Sequence, residues 1–144
     1  MSRIELFDEL ADEYDQWFDD NPLIVASEIE ALRQVTPPFE KALEVGVGTG
    51  RFAEALGIKL GVEPSQPMAA YARARGIEVI SGVAEALPFE DASFDAVFMI
   101  TVDCYLPEVA PIFEECRRVL TADGHLIMGH VDIDAPLGEG YLQA

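Results

Sequence analysis

The chain has 144 residues, half of them hydrophobic, and carries 27 Asp and Glu against 9 Lys and Arg, a formal net charge of −18. This composition is that of a folded globular domain and excludes a disordered tail. The few basic residues form no patch for a polyanionic backbone or an anionic membrane surface, which argues against nucleic-acid and membrane partners and favours small cationic ligands.

The N-terminal segment and the two cysteines lead to two further expectations. The first residues are acidic and amphipathic where a signal peptide would be basic and then apolar, and no apolar run approaches the roughly 20 residues that span a bilayer. Cys104 and Cys116 match no metal-binding or redox spacing, so we expect buried reduced thiols and no metal site. A cytoplasmic protein with one domain over residues 1–144 follows.

Two helices are predicted ahead of the first strand. Apolar residues recur at three- and four-residue steps over residues 4–18, as in an amphipathic helix. Asn21 and Pro22 suit the N-cap and the first position of a second helix, which ends near Val35 before two prolines. Residues 1–36 are therefore expected to form a helical lid.

Strands and helices alternate over residues 41–133, the expected α/β core. Apolar strands are predicted at 42–45, 58–62, 77–80, 94–100 and 125–131, with helices at 51–56, 66–75 and 107–120. This alternation predicts a doubly wound α/β domain, with a mostly parallel sheet covered by helices on both faces. Such sheets bind ligands beyond the carboxyl ends of their strands, here in the loops after Val45, Val62, Ile80 and Ile100.

A glycine-rich turn, EVGVGTG at residues 44–50, follows the first strand and opens a helix. Glycines there let the backbone approach a ligand closely, with the helix N-terminus behind them. The turn alone is equally compatible with a strand-to-helix connection that binds nothing. A dinucleotide fingerprint would place a small residue where this chain has Arg51, which argues against an NAD-dependent oxidoreductase.

Two acids end the first two predicted strands. Glu44 would suit a cationic group better than a pyrophosphate. Glu63 lies 17 residues after Gly46, close to the roughly 20 expected of an acid that binds ribose hydroxyls. The alternative for Glu63 is a solvated carboxylate in an acidic protein. Together with the turn, the two acids indicate a ribosylated, cationic ligand without phosphate.

Five segments extend this pattern along most of the chain: FDELADEYDQWF, ALEVGVGTGRF, GVEPSQPM, SGVAEALPFEDASFDAVFM and EECRRVLTADGHLIMG. In type, order and spacing they resemble the class I S-adenosylmethionine-dependent methyltransferases, specifically the methyltransferase type 11 and ubiquinone/menaquinone-biosynthesis branch. The resemblance implies a Rossmann-like sheet with strand order 3-2-1-4-5, S-adenosylmethionine as cofactor, and methyl transfer to a small-molecule acceptor.

The resemblance also implies cofactor contacts residue by residue. Gly46 and Gly48 would border the methionine and ribose portions, with Glu44 near the amino group. Glu63 would hold the ribose hydroxyls. Tyr14 matches a position that closes over the cofactor, with a core aromatic residue as the alternative. The other implied contacts are Gly50 in the turn, Pro64, Ser65 and Met68 beside the adenine, Ala84 and Glu85 at its polar edge, Leu87 on its face, and Thr101 on the methionine side.

Two departures from the family pattern stand out. Many members carry Asp where this chain has Val83, so an expected carboxylate at the adenine is missing unless Glu85 replaces it. The chain also ends soon after Val131, where the family continues with two more strands. Strand five would then be an edge with unpaired backbone groups. A homodimer partner or residues 133–144 would cover it, or the chain is a piece of a longer protein.

Methyl transfer from a sulfonium is an in-line displacement that depends on positioning and needs no enzyme nucleophile. If the acceptor requires a general base, the candidates are His125 and His130 beside strand five, Asp103 and Tyr105 after strand four, and Tyr14 in the first helix. His130 is the best placed of these, with a purely structural histidine as the alternative. Three functions remain open: a small-molecule methyltransferase, a noncatalytic or truncated S-adenosylmethionine-binding module without an acceptor site, and the oxidoreductase that Arg51 opposes.

Overall fold

The computed structural model describes residues 2–100 and 108–129. The elements, in chain order, are α1 (Arg3–Asp20), α2 (Pro22–Val35), β1 (Ala42–Val45), α3 (Arg51–Leu56), β2 (Leu60–Val62), α4 (Gln66–Ala74), β3 (Glu78–Ile80), β4 (Phe94–Ile100), α5 (Ala110–Val119) and β5 (Leu120–Gly129). The strands form a parallel sheet in the order β3-β2-β1-β4-β5. The predicted doubly wound fold and strand order are confirmed.

Helices cover both faces of this sheet. On β4, Phe98 belongs to a core that includes side chains of α1 to α4, whereas its neighbour Val97 belongs to a second core that includes Ile112 and Cys116 of α5. Successive side chains of a strand point to opposite faces, so a strand covered on both sides is apolar throughout. This explains the continuous apolar run over residues 96–100 of β4.

The predicted boundaries were least accurate around β5. We expected this strand to begin at residue 125, but it begins at Leu120, which pairs with Phe94. The register shifts between Phe94 and Ala96, so the first residues of β5 pair irregularly. The polar residues before His125 hid this start because they have the composition of a turn.

The ends of α1 are capped in a way that the sequence prediction missed. The Ser2 hydroxyl accepts a hydrogen bond from the Glu5 N–H at 3.1 Å, and the Glu5 carboxylate accepts one from the Ser2 N–H at 2.5 Å. This reciprocal pair is a capping box. Asn21 was expected to cap α2, but its side chain instead donates to the Trp17 carbonyl at 2.8 Å and therefore satisfies the end of α1.

The structure also bears on three expectations from the sequence, which concern membrane-spanning segments, the two cysteines and the pairing of β5. None of the helices in residues 2–100 and 108–129 is long and apolar enough to span a membrane. Cys116 is a buried free thiol whose pKa is raised to about 11 by burial and by the charge of Glu115. Cys104, Tyr105 and residues 133–144 lie outside the described residues, so pairing along β5 stays a prediction.

Gly61 on β2 marks a very close contact between the sheet and the turn after β1. A Cβ built on Gly61 would lie 2.5 Å from the Val47 Cβ. We therefore expect Gly61→Ala to lower the free energy of unfolding by about 3 kcal/mol through overpacking, as measured by urea denaturation. Gly57→Ala is the control, because its Cβ would meet open space and its φ of +76° costs only about 1 kcal/mol. Equal midpoints for the two variants would contradict this.

Candidate functional site

The glycine-rich turn is fastened to the carboxyl end of β2. The backbone N–H groups of Gly46 and Val47 both donate to the Val62 carbonyl, at 2.9 and 3.0 Å. The chain then reverses, and the Gly50 N–H donates to the Val47 carbonyl at 3.0 Å before α3 begins. This arrangement places the turn beside the ends of β1 and β2, the edge where doubly wound sheets bind ligands.

Gly50 explains why this turn differs from the dinucleotide fingerprint. Its φ is +84°, and a Cβ there would lie 2.9 Å from the Ala72 Cα of α4. The need for a small residue therefore falls on position 50, where α3 meets α4. Position 51 therefore needs no small residue, and the Arg51 side chain donates hydrogen bonds to α1.

Glu63 joins the turn to the loop after β2. Its side chain is buried, and one carboxylate oxygen accepts the Gly48 N–H at 2.9 Å. The other oxygen accepts the Ser65 N–H, also at 2.9 Å. Burial raises the pKa of Glu63, and these two hydrogen bonds partly offset that effect. Glu63 is thus an organised acceptor at the strand end, and the alternative of a solvated carboxylate is wrong.

Glu44 is a buried residue, only 2% exposed, near the end of β1. Its Oε1 atom has no hydrogen-bond partner among the described residues. Burial, followed by the charge of Glu63, raises the pKa of Glu44 well above its ordinary value. An unpaired buried acceptor is costly for the fold, so the site has an acceptor available for a donor or a cation.

The raised pKa of Glu44 predicts a pH-dependent stability. The folded-state pKa of Glu44 lies above the ordinary value of 4.5. The stability that the protonated carboxyl contributes is therefore fully present below pH 4.5, and it is lost as the pH rises through the folded-state pKa. Because an amide does not ionise, Glu44→Gln should not lose stability as the pH rises. Near pH 8 its free energy of unfolding should exceed that of the wild type by about 1 kcal/mol. Urea denaturation between about pH 5 and pH 8 measures it, with exposed Glu40→Gln as control. Parallel pH profiles for wild type and Glu44→Gln would contradict the prediction.

Helix α1 lies over the turn and contacts the loop after β2. A Cβ on Gly48 would lie 3.7 Å from the Tyr14 ring, so Tyr14 covers the middle of the turn. Asp8 accepts a hydrogen bond from the Ser65 hydroxyl at 2.6 Å, and its charge contributes to the raised pKa of Glu63. The sequence prediction included Tyr14 but missed Asp8, although the acidic residues of α1 recur at helical spacing.

An ionic network fixes α1 in this position. The Asp15 carboxylate accepts hydrogen bonds from Arg51 at 2.9 and 3.0 Å and from Arg75 at 3.2 Å. Arg75 also donates to the Thr49 carbonyl of the turn at 3.0 Å, and Arg51 binds Asp19 at 2.9 Å. Two arginines therefore connect α1 to the turn, to α3 and to α4.

The loop after β3 closes the other side of the site. Ala84 and Leu87 are buried in the core that contains Val62, whereas Glu85 is exposed. A Cβ on Gly82 would lie 3.3 Å from Val62, the residue before Glu63. The loop is therefore packed against the end of β2.

The structure brings most of the predicted site residues to one edge of the sheet. These are Glu44, Gly46, Gly48, Gly50, Glu63, Pro64, Ser65, Met68, Ala84 and Tyr14, with exposed Glu85 on the adjoining loop. Thr101, Asp103 and His130 lie outside the described residues. His125 pairs with Ala96 near the amino end of β4 and is exposed, so it is not part of this edge.

Comparisons with known proteins agree with this geometry. The methyltransferase-domain family matches residues 43–128. An uncharacterized protein of Methanocaldococcus jannaschii is 46% identical over 138 residues, which cover 96% of this chain and 67% of that protein. A demethylmenaquinone methyltransferase of Thermotoga maritima is 32% identical over 138 residues, covering 87% of this chain and 59% of the enzyme.

A solved structure from Thermotoga maritima is similar over nearly the whole chain. It is an S-adenosylmethionine-dependent methyltransferase, described as a possible histamine N-methyltransferase, with 41% identity and a TM-score of 0.91. The match covers 96% of this chain and 67% of the Thermotoga protein. The chain thus spans about half to two thirds of the length of these curated relatives.

Proposed function

The chain belongs to the S-adenosylmethionine-dependent methyltransferase family with the class I fold, and we propose that it transfers a methyl group from S-adenosylmethionine to a small-molecule acceptor. The observation that carries this proposal is the bridge formed by Glu63, whose buried carboxylate organises both the glycine turn and the loop after β2. Such a carboxylate can accept the two hydroxyls of a ribose while it holds the backbone on either side.

The residues at this edge suit the cofactor chemically. S-adenosylmethionine is the cofactor of this family. When bound, it supplies a methyl group on a positively charged sulfonium. Glu44 has a buried oxygen without a hydrogen-bond partner in the part of the chain that the structure describes, and this oxygen would accept a hydrogen bond from the cofactor's amino group. Together with Glu63 it gives the site an acidic character, which favours a cationic ligand and disfavours a pyrophosphate.

The remaining roles follow from position. Gly46 and Gly48 would border the methionine and ribose portions. Tyr14, which covers Gly48, would exclude water from the reacting groups. Pro64, Ser65 and Met68 would flank the adenine, Ala84 and Glu85 would meet its polar edge, Thr101 would lie on the methionine side, and Asp103, His130 or Tyr14 would act as general base where the acceptor needs one.

The relatives' names indicate two classes of acceptor, a quinone ring and an amine. The net charge of −18 raises the local concentration of cations and lowers that of anions. We therefore place a small amine first among the acceptors to test. A cytoplasmic location and a homodimer paired along β5 belong to the same proposal, and light scattering of the purified chain tests the dimer.

Calorimetric titration with S-adenosylmethionine and S-adenosylhomocysteine tests the proposal, with NAD as the negative control. Binding of both sulfur compounds without NAD would support it, and binding of NAD alone would replace it with the oxidoreductase. Formation of S-adenosylhomocysteine in the presence of histamine, other small amines or a demethylmenaquinone analogue then tests turnover. Cofactor binding without turnover on any acceptor would favour the noncatalytic module.

A further inference from the structure

Two side chains of α5 hold the backbone of the loop after β3. The Leu87 N–H donates to the Glu115 carboxylate at 2.8 Å. The two terminal nitrogens of Arg118 donate to the carbonyls of Leu87 at 2.9 Å and Phe89 at 2.8 Å. Both backbone polar groups of Leu87 are therefore bound by α5.

Glu115 and Arg118 also bind each other, and we call this pair the α5 clamp. The Arg118 Nε donates to one Glu115 oxygen at 2.6 Å, and Nη2 donates to the other at 3.1 Å. Arg118 additionally binds Asp91 at 2.9 Å. A planar guanidinium can make these contacts at once because its donors point in fixed directions, whereas a lysine ammonium cannot.

The held loop has little freedom relative to the proposed cofactor site. Ala84 and Leu87 are buried against the core that contains Val62. Gly82 lies so close to Val62 that a Cβ would be 3.3 Å from it. The sheet thus fixes one side of the loop beside Glu63, and the α5 clamp fixes the other side.

The loop offers few side chains for reading a base. Val83 has no hydrogen-bonding side chain, Ala84 and Leu87 are apolar, and Glu85 is exposed. If the adenine lies at this loop, Glu85 offers the one hydrogen-bonding side chain of residues 83–87, and the rest of the recognition of the polar edge falls on backbone N–H and C=O groups. Backbone groups distinguish a donor from an acceptor only where the loop cannot turn to present the other group.

We propose that Glu115 and Arg118 are positioning residues for adenine recognition, which act by holding the backbone at Leu87. Neither residue needs to touch the cofactor. The proposal rests on the proposed function, since that function places the adenine at this loop. The expected consequence is selectivity for adenine over hypoxanthine, because hypoxanthine carries a carbonyl acceptor where adenine carries an amino donor.

Calorimetric titration with S-adenosylhomocysteine and its deaminated analogue S-inosylhomocysteine tests this role. The wild-type chain should prefer the adenine compound. Arg118→Met should reduce that preference roughly tenfold, the effect of one well-placed hydrogen bond. Arg117→Met is the matched control, because Arg117 is the exposed neighbour on α5 and its replacement changes the net charge equally. Arg117→Met should retain the wild-type preference.

Milder variants keep the test decisive if Arg118→Met does not fold. Arg118→Lys retains the positive charge but lacks the planar guanidinium with its donors in fixed directions. Glu115→Gln has Glu114→Gln, at an exposed position, as its control. Unchanged selectivity in Arg118→Lys and Glu115→Gln would overturn the proposal, as would equal weakening of both ligands or a wild-type chain that binds them equally. If the wild-type chain binds neither compound, both this inference and the proposed function fail, whereas the preceding outcomes leave the proposed function standing.

Discussion

Glu63→Ala is expected to reduce the affinity for S-adenosylhomocysteine at least about 100-fold, the effect of two hydrogen bonds to a charged group. The ribose hydroxyls would lose the carboxylate that is proposed to accept their hydrogen bonds. The N–H groups of Gly48 and Ser65 would also lose the acceptor that aligns the turn with the loop after β2. Calorimetric titration measures the affinity, and circular dichroism verifies that the variant is folded.

Two further variants isolate the role of Glu63. Glu63→Gln keeps an acceptor oxygen but replaces the other oxygen with a donor, so it should bind more weakly than wild type and more tightly than Glu63→Ala. Glu78→Ala removes an exposed acid from β3 and should bind like wild type. Wild-type affinity in Glu63→Ala would show that Glu63 only supports the turn.

The fold was predictable because its signals are local. The strands β1 and β4 are mostly apolar because helices cover both faces of the sheet, and the prolines and glycines between elements mark where each one ends. The start of β5 was predicted wrongly because its first residues are polar and pair through an irregular register. Pattern alone does not reveal such pairing, since it depends on the neighbouring strand.

The site was predictable only in part, for a similar reason. Glu44 lies near the end of β1, and Glu63 and the glycines follow strand ends, so their position could be inferred from the order of elements. Asp8 reaches Ser65 across 57 positions of sequence. Arg51 was interpreted only as evidence against a dinucleotide. Its ion pairs with α1 were missed because its partners lie 36 and 32 positions away in the sequence. Such contacts depend on how the helices pack, which periodicity does not specify.

The docking of α1 leads to the second large prediction. Burial by itself raises the pKa of Asp15, but hydrogen bonds from Arg51 and Arg75 outweigh it and lower the pKa to about 2. Asp15→Ala would leave both arginines without this partner, so we expect the free energy of unfolding near pH 7 to fall by about 3 kcal/mol. Glu13→Ala, an exposed acid on the same helix, should change it little.

The same pKa determines how this difference depends on pH. A carboxyl whose folded-state pKa is lowered stabilises the fold above its unfolded value of 3.8, and that contribution, about 2 kcal/mol, is lost as the pH falls through about 2. The difference in the free energy of unfolding between wild type and Asp15→Ala, measured by urea denaturation, should therefore become smaller in acid. Amide exchange should accelerate mainly in α1, and cofactor affinity should fall because Arg75 also holds the turn at Thr49. A free-energy difference that is constant with pH, or exchange that accelerates equally in all helices, would mean that Asp15 does not specifically fix α1 on the proposed cofactor site.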